Sequence, residues 1–385
     1  MNHLTDAIAA EPNNVDLNDI GQRVILPSSY MGGPQHMNQC YQDSMSLGRR
    51  YRKVDVFLTM TTNPYWDEIT QELEPGQTPY DRPDLIARVF EMKRKALLDE
   101  IYNHGIFGLS VAYIYTIEFQ KHGLPHMHLL IFLHVPHKLT TPEAVDSCIW
   151  ARWPDPEQYP KLFATVKWCM VHTCSATSCL ANGKCSKGFP KAFNRATTMD
   201  TDGYPDYWRP DNGSAYEISG TLCDNCHIVP YNPYLSAKYD CHLNMECAAS
   251  FATLKYIFKY VQKGPDRGLL EFQMKDEVKR WIDGRYISSP DAMWRIFQFD
   301  THQQTPNVVW LQVHLPEHQF ITFNPNEDAE MVLDCASNQS TTLTAFFEAN
   351  RDQGDLGTTA RKYTYQEFPQ HFVYDKNARK WKLRK

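Results

Sequence analysis

Nowhere in its 385 residues does the chain carry an apolar run of about 18 residues, the length a membrane-spanning helix requires, so no membrane partner is expected. An excess of positive charge is missing too: 39 Lys and Arg face 45 Asp and Glu, for a net charge of −6. That balance excludes a generally basic nucleic-acid coat and confines any DNA-binding surface to a local patch. The opening residues, MNHLTDAIAAEPNNVDL, lack the basic-then-apolar layout of a secretory signal. Internal repeats and low-complexity tracts are absent as well.

What is present is a large apolar content and a concentration of cysteine. At 42% hydrophobic and 13% aromatic residues, the chain can bury one large core or two ordinary ones. Its 11 cysteines are an odd number, and nine fall between Cys148 and Cys247. Such clustering favours metal binding over disulfides. One basic patch stands out: the tail DKNARKWKLRK (375–385) sets six Lys/Arg against one Asp, around Trp381. Arg379, Lys380, Trp381 and Lys382 are its candidate DNA contacts.

The pattern of elements indicates an α+β fold, a central antiparallel sheet with flanking helices and a Cys-rich insertion. Residues 1–50 form a polar lead-in. VDVFLTMTTNP (54–64) is a strand stopped by Asn-Pro, and RPDLIARVFEMKRKALLDEIYNHG (82–105) has helical apolar spacing closed by Gly105. SVAYIYTIEF (110–119) and HMHLLIFL (126–133) make a hairpin across QKHGLP, and ASFATLKYIFKYVQKG (249–264) is a helix. VVWLQVHL (308–315) and QFITFN (319–324) suggest a second hairpin. The expected domains are 51–139 with 228–325 as one discontinuous body, 140–227 as an insertion, and 326–385 as a C-terminal extension.

Two histidines, His126 and His128, stand one residue apart at the mouth of an otherwise oily strand. Alternate strand residues share a face, so both imidazoles point the same way and Met127 the other. They either clamp a metal ion or cap the sheet through hydrogen bonds. Pairing of Gln120 with His126 would bring Glu118 opposite His128, adding oxygen ligands on the same face. Mixed nitrogen and oxygen donors suit Mg²⁺, Mn²⁺ or Zn²⁺. On the later helix, Tyr256 and Tyr260 lie four residues apart, roughly 6 Å along the axis, with Lys259 and Lys263 nearby. A phenol beside cations is a potential nucleophile; core packing is the plainer role for such a pair.

In the insertion, His172, Cys174, Cys179 and Cys185 offer four ligands that suit a closed structural Zn²⁺ site. Cys223 and Cys226 in CDNCH are alternative zinc ligands, and free cysteines are the plainer reading of both groups.

IEFQKHGLPHMHLLIFL together with HLNMECAASFATLKYIFKYVQKGPDRG closely resembles the replication-initiator nuclease domain of Helitron transposases, the two-tyrosine branch of the HUH endonucleases. VDVFLTMTTNP resembles that family's first motif, and RYISSPDAMWRIFQF with VVWLQVHLPEHQFITF resembles the region after its tyrosines. The resemblance runs from about residue 22 to the end. It implies a Mg²⁺ or Mn²⁺ ion on His126 and His128, completed by Glu118 or Gln120, acting on single-stranded DNA. It implies attack by Tyr256 or Tyr260 to leave a 5′-phosphotyrosine and a free 3′-hydroxyl, with Lys263 stabilising phosphate or phenolate. Similar His-Cys-Cys-Cys spacing in such proteins favours zinc at the first cluster. A nuclear location and a helicase domain are further implications. No G-x-x-x-x-G-K-[ST] loop occurs here, so the chain is expected to be a nuclease-only fragment or a truncated copy. A metal-dependent hydrolase without a protein adduct, and a decayed zinc-containing DNA-binding module, are the rival functions.

Overall fold

The computed structural model describes residues 34–119, 123–175, 179–201, 203–248, 267–272, 280–285, 287–315 and 340–384. The chain forms two compact units that part between Pro306 and Asn307.

The first unit is built on a five-stranded sheet. Its strands are β1 (Val56–Thr61), β2 (Ser110–Phe119), β3 (Pro125–Leu133), β4 (Leu243–Cys247) and β5 (His302–Thr305), in the order β4-β1-β3-β2-β5. Every neighbouring pair is antiparallel. The expected α+β class with a central antiparallel sheet and flanking helices is what the chain forms. β4 and β5 were not evident as strands in the sequence.

Helices cover the sheet on both sides, which explains why β3 reads as an oily run rather than an alternating one. One face carries Leu58, Met60, Tyr115, Ile117, Met127, Leu129, Leu243 and Met245. These pack with Ile86, Phe90 and Leu97 of α2 (Pro83–Leu98) and Trp294 of α6 (Ser289–Ile296). Toward the opposite face, α1 (Pro34–Tyr51) sets Tyr51 against the Phe132 ring, 5.7 Å between centroids, and Ser44 beside Gln304. All nine residues of β3 are buried.

The helix expected over 82–105 stays α-helical only to Leu98 and then widens into a π turn, Asp99–Asn103. In the β2–β3 turn Gly123 adopts φ +79°, and a Cβ there would meet the Ser288 side chain at 3.0 Å. Glycine is required on both counts.

The insertion has its own small core, although its first helix, α3 (Pro142–Cys148), packs Val145 and Cys148 into the main core. α4 (Pro160–Cys169) and the short hairpin Tyr216–Cys223 surround Trp153, Leu162, Val166, Met170 and Tyr231. Buried Arg209 ties it together, its guanidinium donating to the carbonyls of Ala151, Asn225 and Ile228. α5 (Pro233–Tyr239) leads from the insertion towards β4. The helix expected at 249–264 lies outside the described residues.

The second unit contains α7 (Thr342–Arg351), α8 (Asp355–Ala360) and a hairpin of β6 (Phe372–Asp375) and β7 (Lys380–Leu383). Ala345, Ala349, Phe368, Phe372 and Trp381 form its core. Residues 308–315, expected as a strand, are not one. Gln312 instead exchanges backbone-to-side-chain hydrogen bonds with Thr342, and Leu311 packs on the core. Both contacts lie within the second compact unit, Asn307–Lys385. The expected partner strand, 319–324, is outside the described residues.

Candidate active site

Strand register builds the candidate site as two polar rows across one face of the sheet. In the first row Glu118 of β2, His126 of β3 and Thr61 of β1 stand opposite one another, and the Thr61 amide donates to the carbonyl of His242, next to β4. In the second row His302, Thr116, His128, Thr59 and Asn244 cross all five strands. Directly paired residues project to one side, so these polar groups share a face while the methionines of H-M-H and T-M-T lie on the other.

The histidines are held at their Nδ1 atoms. Thr61 Oγ1 lies 2.7 Å from His126 Nδ1 and 3.4 Å from His242 Nδ1, and Thr59 Oγ1 lies 3.2 Å from His128 Nδ1. The His126 and His128 rings are 4.6 Å apart, edge to face. Burial pushes His126 well below the ordinary imidazole range, and the neighbouring His128 and His242 add to this. Burial likewise brings His242 down to about 4, with Lys187 reinforcing the effect. Both rings are therefore neutral near pH 7, the form that ligates metals.

Glu118 Oε2 lies 3.6 Å from His128 Nε2, and Glu118 Oε1 is buried without a hydrogen-bond partner among the described residues. A buried carboxylate oxygen lacking a donor among the described residues, beside the imidazoles of H-M-H, fits a divalent cation chemically.

The register differs from the expected one by two residues. Glu118, not Gln120, stands opposite His126, and Thr116 stands opposite His128. Phe119 with Pro125 is the last pair of the β2–β3 ladder. Gln120, Tyr256, Lys259, Tyr260 and Lys263 all lie outside the described residues. Sequence reasoning missed Thr59, Thr61 and His242. The signal was the T-M-T of FLTMTTNP, which has the same one-residue spacing as H-M-H.

In the insertion the structure brings His172, Cys174, Cys179 and Cys185 together, with their ligand atoms all within 4.8 Å of one another. His172 Nε2 is 3.5 Å from Cys179 Sγ and 3.3 Å from Cys185 Sγ. Tetrahedral zinc with ordinary Zn–N and Zn–S lengths separates such atoms by about 3.5 Å, so the group fits a closed Zn²⁺ site. The Cys185 thiol is brought down to about 7: burial opposes this, but amides of Phe189 and Lys187 and the neighbouring thiols outweigh it. The Phe189 ring stacks on His172 at 4.4 Å. Cys223 and Cys226 do not join. Among the described residues the first four form the only such group, while Cys223 Sγ turns to its own loop at Thr221 O.

The tail resolves into structure and surface. Trp381 is 3% exposed and donates from Nε1 to the Thr342 carbonyl, so it is a core residue rather than a platform for bases. Lys380 and Lys382 are exposed and Arg379 half-buried.

No helix among the described residues is long and apolar enough to cross a membrane. A comparison with curated proteins found no match. Residues 1–131 match the family described as "Helitron helicase-like domain at N-terminus", a span that includes T-M-T, Glu118 and H-M-H. Over that first third, the chain is similar to the Helitron helicase-like N-terminal domain.

Proposed function

We propose that this chain nicks single-stranded DNA and rejoins strands during rolling-circle transposition. Its relation to Helitrons supports a rolling-circle transposon protein. The observation that carries the finer reading is the pairing of H-M-H with T-M-T beside a buried, unpartnered Glu118 oxygen.

His126, His128 and Glu118 would hold Mg²⁺ or Mn²⁺, which when bound supplies Lewis-acid polarisation of the scissile phosphate. Thr59 and Thr61 orient the two imidazoles. A phenol of Tyr256 or Tyr260 attacks phosphorus, the P–O3′ bond breaks, and the 3′-oxygen leaves as a hydroxyl. The new 5′-phosphotyrosine bond keeps the energy needed for rejoining. A second phenol lets another strand be cut while the first remains attached. Lys259 and Lys263 would neutralise charge there, and Lys380 and Lys382 would contact phosphates. The Cys-rich insertion would hold structural Zn²⁺. We further propose a nuclear location, and a helicase domain as a working partner.

Incubation of single-stranded DNA labelled at its 3′ end with the protein and Mn²⁺, resolved on a denaturing gel, tests this reading. Label shifted to protein mass supports it. Free cleaved ends without a protein adduct would favour simple hydrolysis, and intact DNA a binding module.

A further inference from the structure

Thr61 has one hydroxyl proton and two imidazole neighbours. Its Oγ1 lies 2.7 Å from His126 Nδ1 and 3.4 Å from His242 Nδ1, and the strands fix both contacts through the β1–β3 pairing and the Thr61 amide bond to His242 O. A hydroxyl donates once, and a neutral imidazole carries hydrogen on only one nitrogen. Two directions are possible. If Thr61 donates to His126 Nδ1, the His126 proton sits on Nε2 and that nitrogen offers no lone pair. If Thr61 donates to His242, it accepts from His126 Nδ1–H, and the lone pair moves to Nε2.

We propose that His242 is a positioning residue: by accepting the Thr61 proton at Nδ1, it holds His126 in the Nδ1–H tautomer whose Nε2 can bind a cation. The inference rests on reading H-M-H as a cation site. A cation on Nε2 leaves the His126 proton on Nδ1, so Thr61 then accepts across the 2.7 Å contact, and His242 Nδ1, at 3.4 Å, is the neighbour placed to take the hydroxyl proton. The adjacent row repeats the layout. Thr59 Oγ1 contacts His128 Nδ1 at 3.2 Å, and Asn244 stands across from Thr59 at the strand position corresponding to His242, without a hydrogen bond to the hydroxyl. Three antiparallel strands thus set H-M-H, T-M-T and H-L-N side by side. Hydrogen-bond partners behind a metal-binding histidine commonly change affinity about 10–100-fold when removed.

The test uses the full chain, metal-free, with ¹⁵N-labelled imidazoles; long-range ¹H–¹⁵N correlation distinguishes the tautomers, and His126→Gln assigns the signal. Wild type should show His126 protonated at Nδ1. His242→Leu should move the proton towards Nε2 and weaken Mn²⁺ binding about 10–100-fold. His242→Asn, whose amide oxygen lies near the lost Nδ1, should restore both. Thr61→Val should behave as His242→Leu, and Thr61→Ser as wild type. If His242→Leu fails to fold, the near-isosteric Thr61→Val carries the same comparison. Wild-type His126 protonated at Nε2 would overturn the proposal. So would an unchanged tautomer and Mn²⁺ affinity within twofold in the variants. Equal Mn²⁺ binding by wild type and His126→Gln would instead remove the cation reading, while the tautomer spectra would still decide the relay.

Discussion

Glu118 stands directly across from His126, yet its carboxylate reaches the other histidine, with Oε2 3.6 Å from His128 Nε2. The side chain thus reaches diagonally to the neighbouring pair on the same face, a reach that long side chains have in a sheet. Its Oε1 is buried without a donor among the described residues, an arrangement that costs stability in the absence of a cation. Glu118→Gln keeps the shape and removes the charge. We expect Mn²⁺ affinity to fall about tenfold or more while the metal-free melting temperature is unchanged or higher. Calorimetric titration and a thermal melt check both, and a clear loss of metal-free stability would show that Glu118 is mainly structural.

The insertion should carry one tightly held Zn²⁺ per chain, because closed sites of this ligand type contribute directly to folding. Cys185→Ser or His172→Ala should lose the zinc and lower the melting temperature. Cys223→Ser should keep it, since that thiol is outside the group. Elemental analysis of protein purified without chelator decides between them.

Within the second unit, core and surface substitutions should separate cleanly. Trp381→Ala should destabilise by about 3–5 kcal/mol, read by denaturant titration, because it empties the centre of an aromatic cluster. Lys380→Glu with Lys382→Glu should leave stability nearly unchanged, since the Lys382–Asp375 ion pair is exposed. The same double substitution should weaken single-stranded DNA binding. It should also flatten the logarithmic salt dependence by about 0.7 for each phosphate that the protein no longer neutralises. Unchanged salt dependence would remove the hairpin from the DNA surface.

Stability should fall on mild acidification. Burial brings His302 and His242 down to about 4, against 6.5 for free imidazole. Between those values the unfolded chain binds more protons than the folded one, so stability rises with pH there. The contribution is fully present above about pH 6.5 and lost as pH falls towards 4. Chemical denaturation at several pH values should show this slope, and His302→Gln should reduce it.

How much of this was legible in the sequence depends on how local each signal was. H-M-H and the β2–β3 hairpin could be read because spacing of two puts side chains on one face. The register could not: a connection longer by two residues makes Glu118, rather than Gln120, the partner of His126. The zinc ligands sit close together in sequence and were found. His242 is 116 positions from His126 and meets it only through β1, so no local pattern announced it. Trp381 looked like part of a basic DNA-binding run because alternation within a four-residue strand is too short to reveal an inward-facing ring. Both β4 and β5 escaped notice because they carry few β-branched residues and owe their state to strands already in place.

The most direct measurement compares wild type with a variant carrying both Tyr256→Phe and Tyr260→Phe on labelled single-stranded DNA with Mn²⁺, under denaturing conditions. We expect wild type to form a covalent protein–DNA adduct. Each single Phe variant should be impaired at a different step, with Tyr260, nearest Lys259 and Lys263 in sequence, making the first nick. The double variant should bind DNA through its basic contacts and form no adduct. An adduct persisting in the double variant would mean that another residue is the nucleophile and would contradict the proposed function.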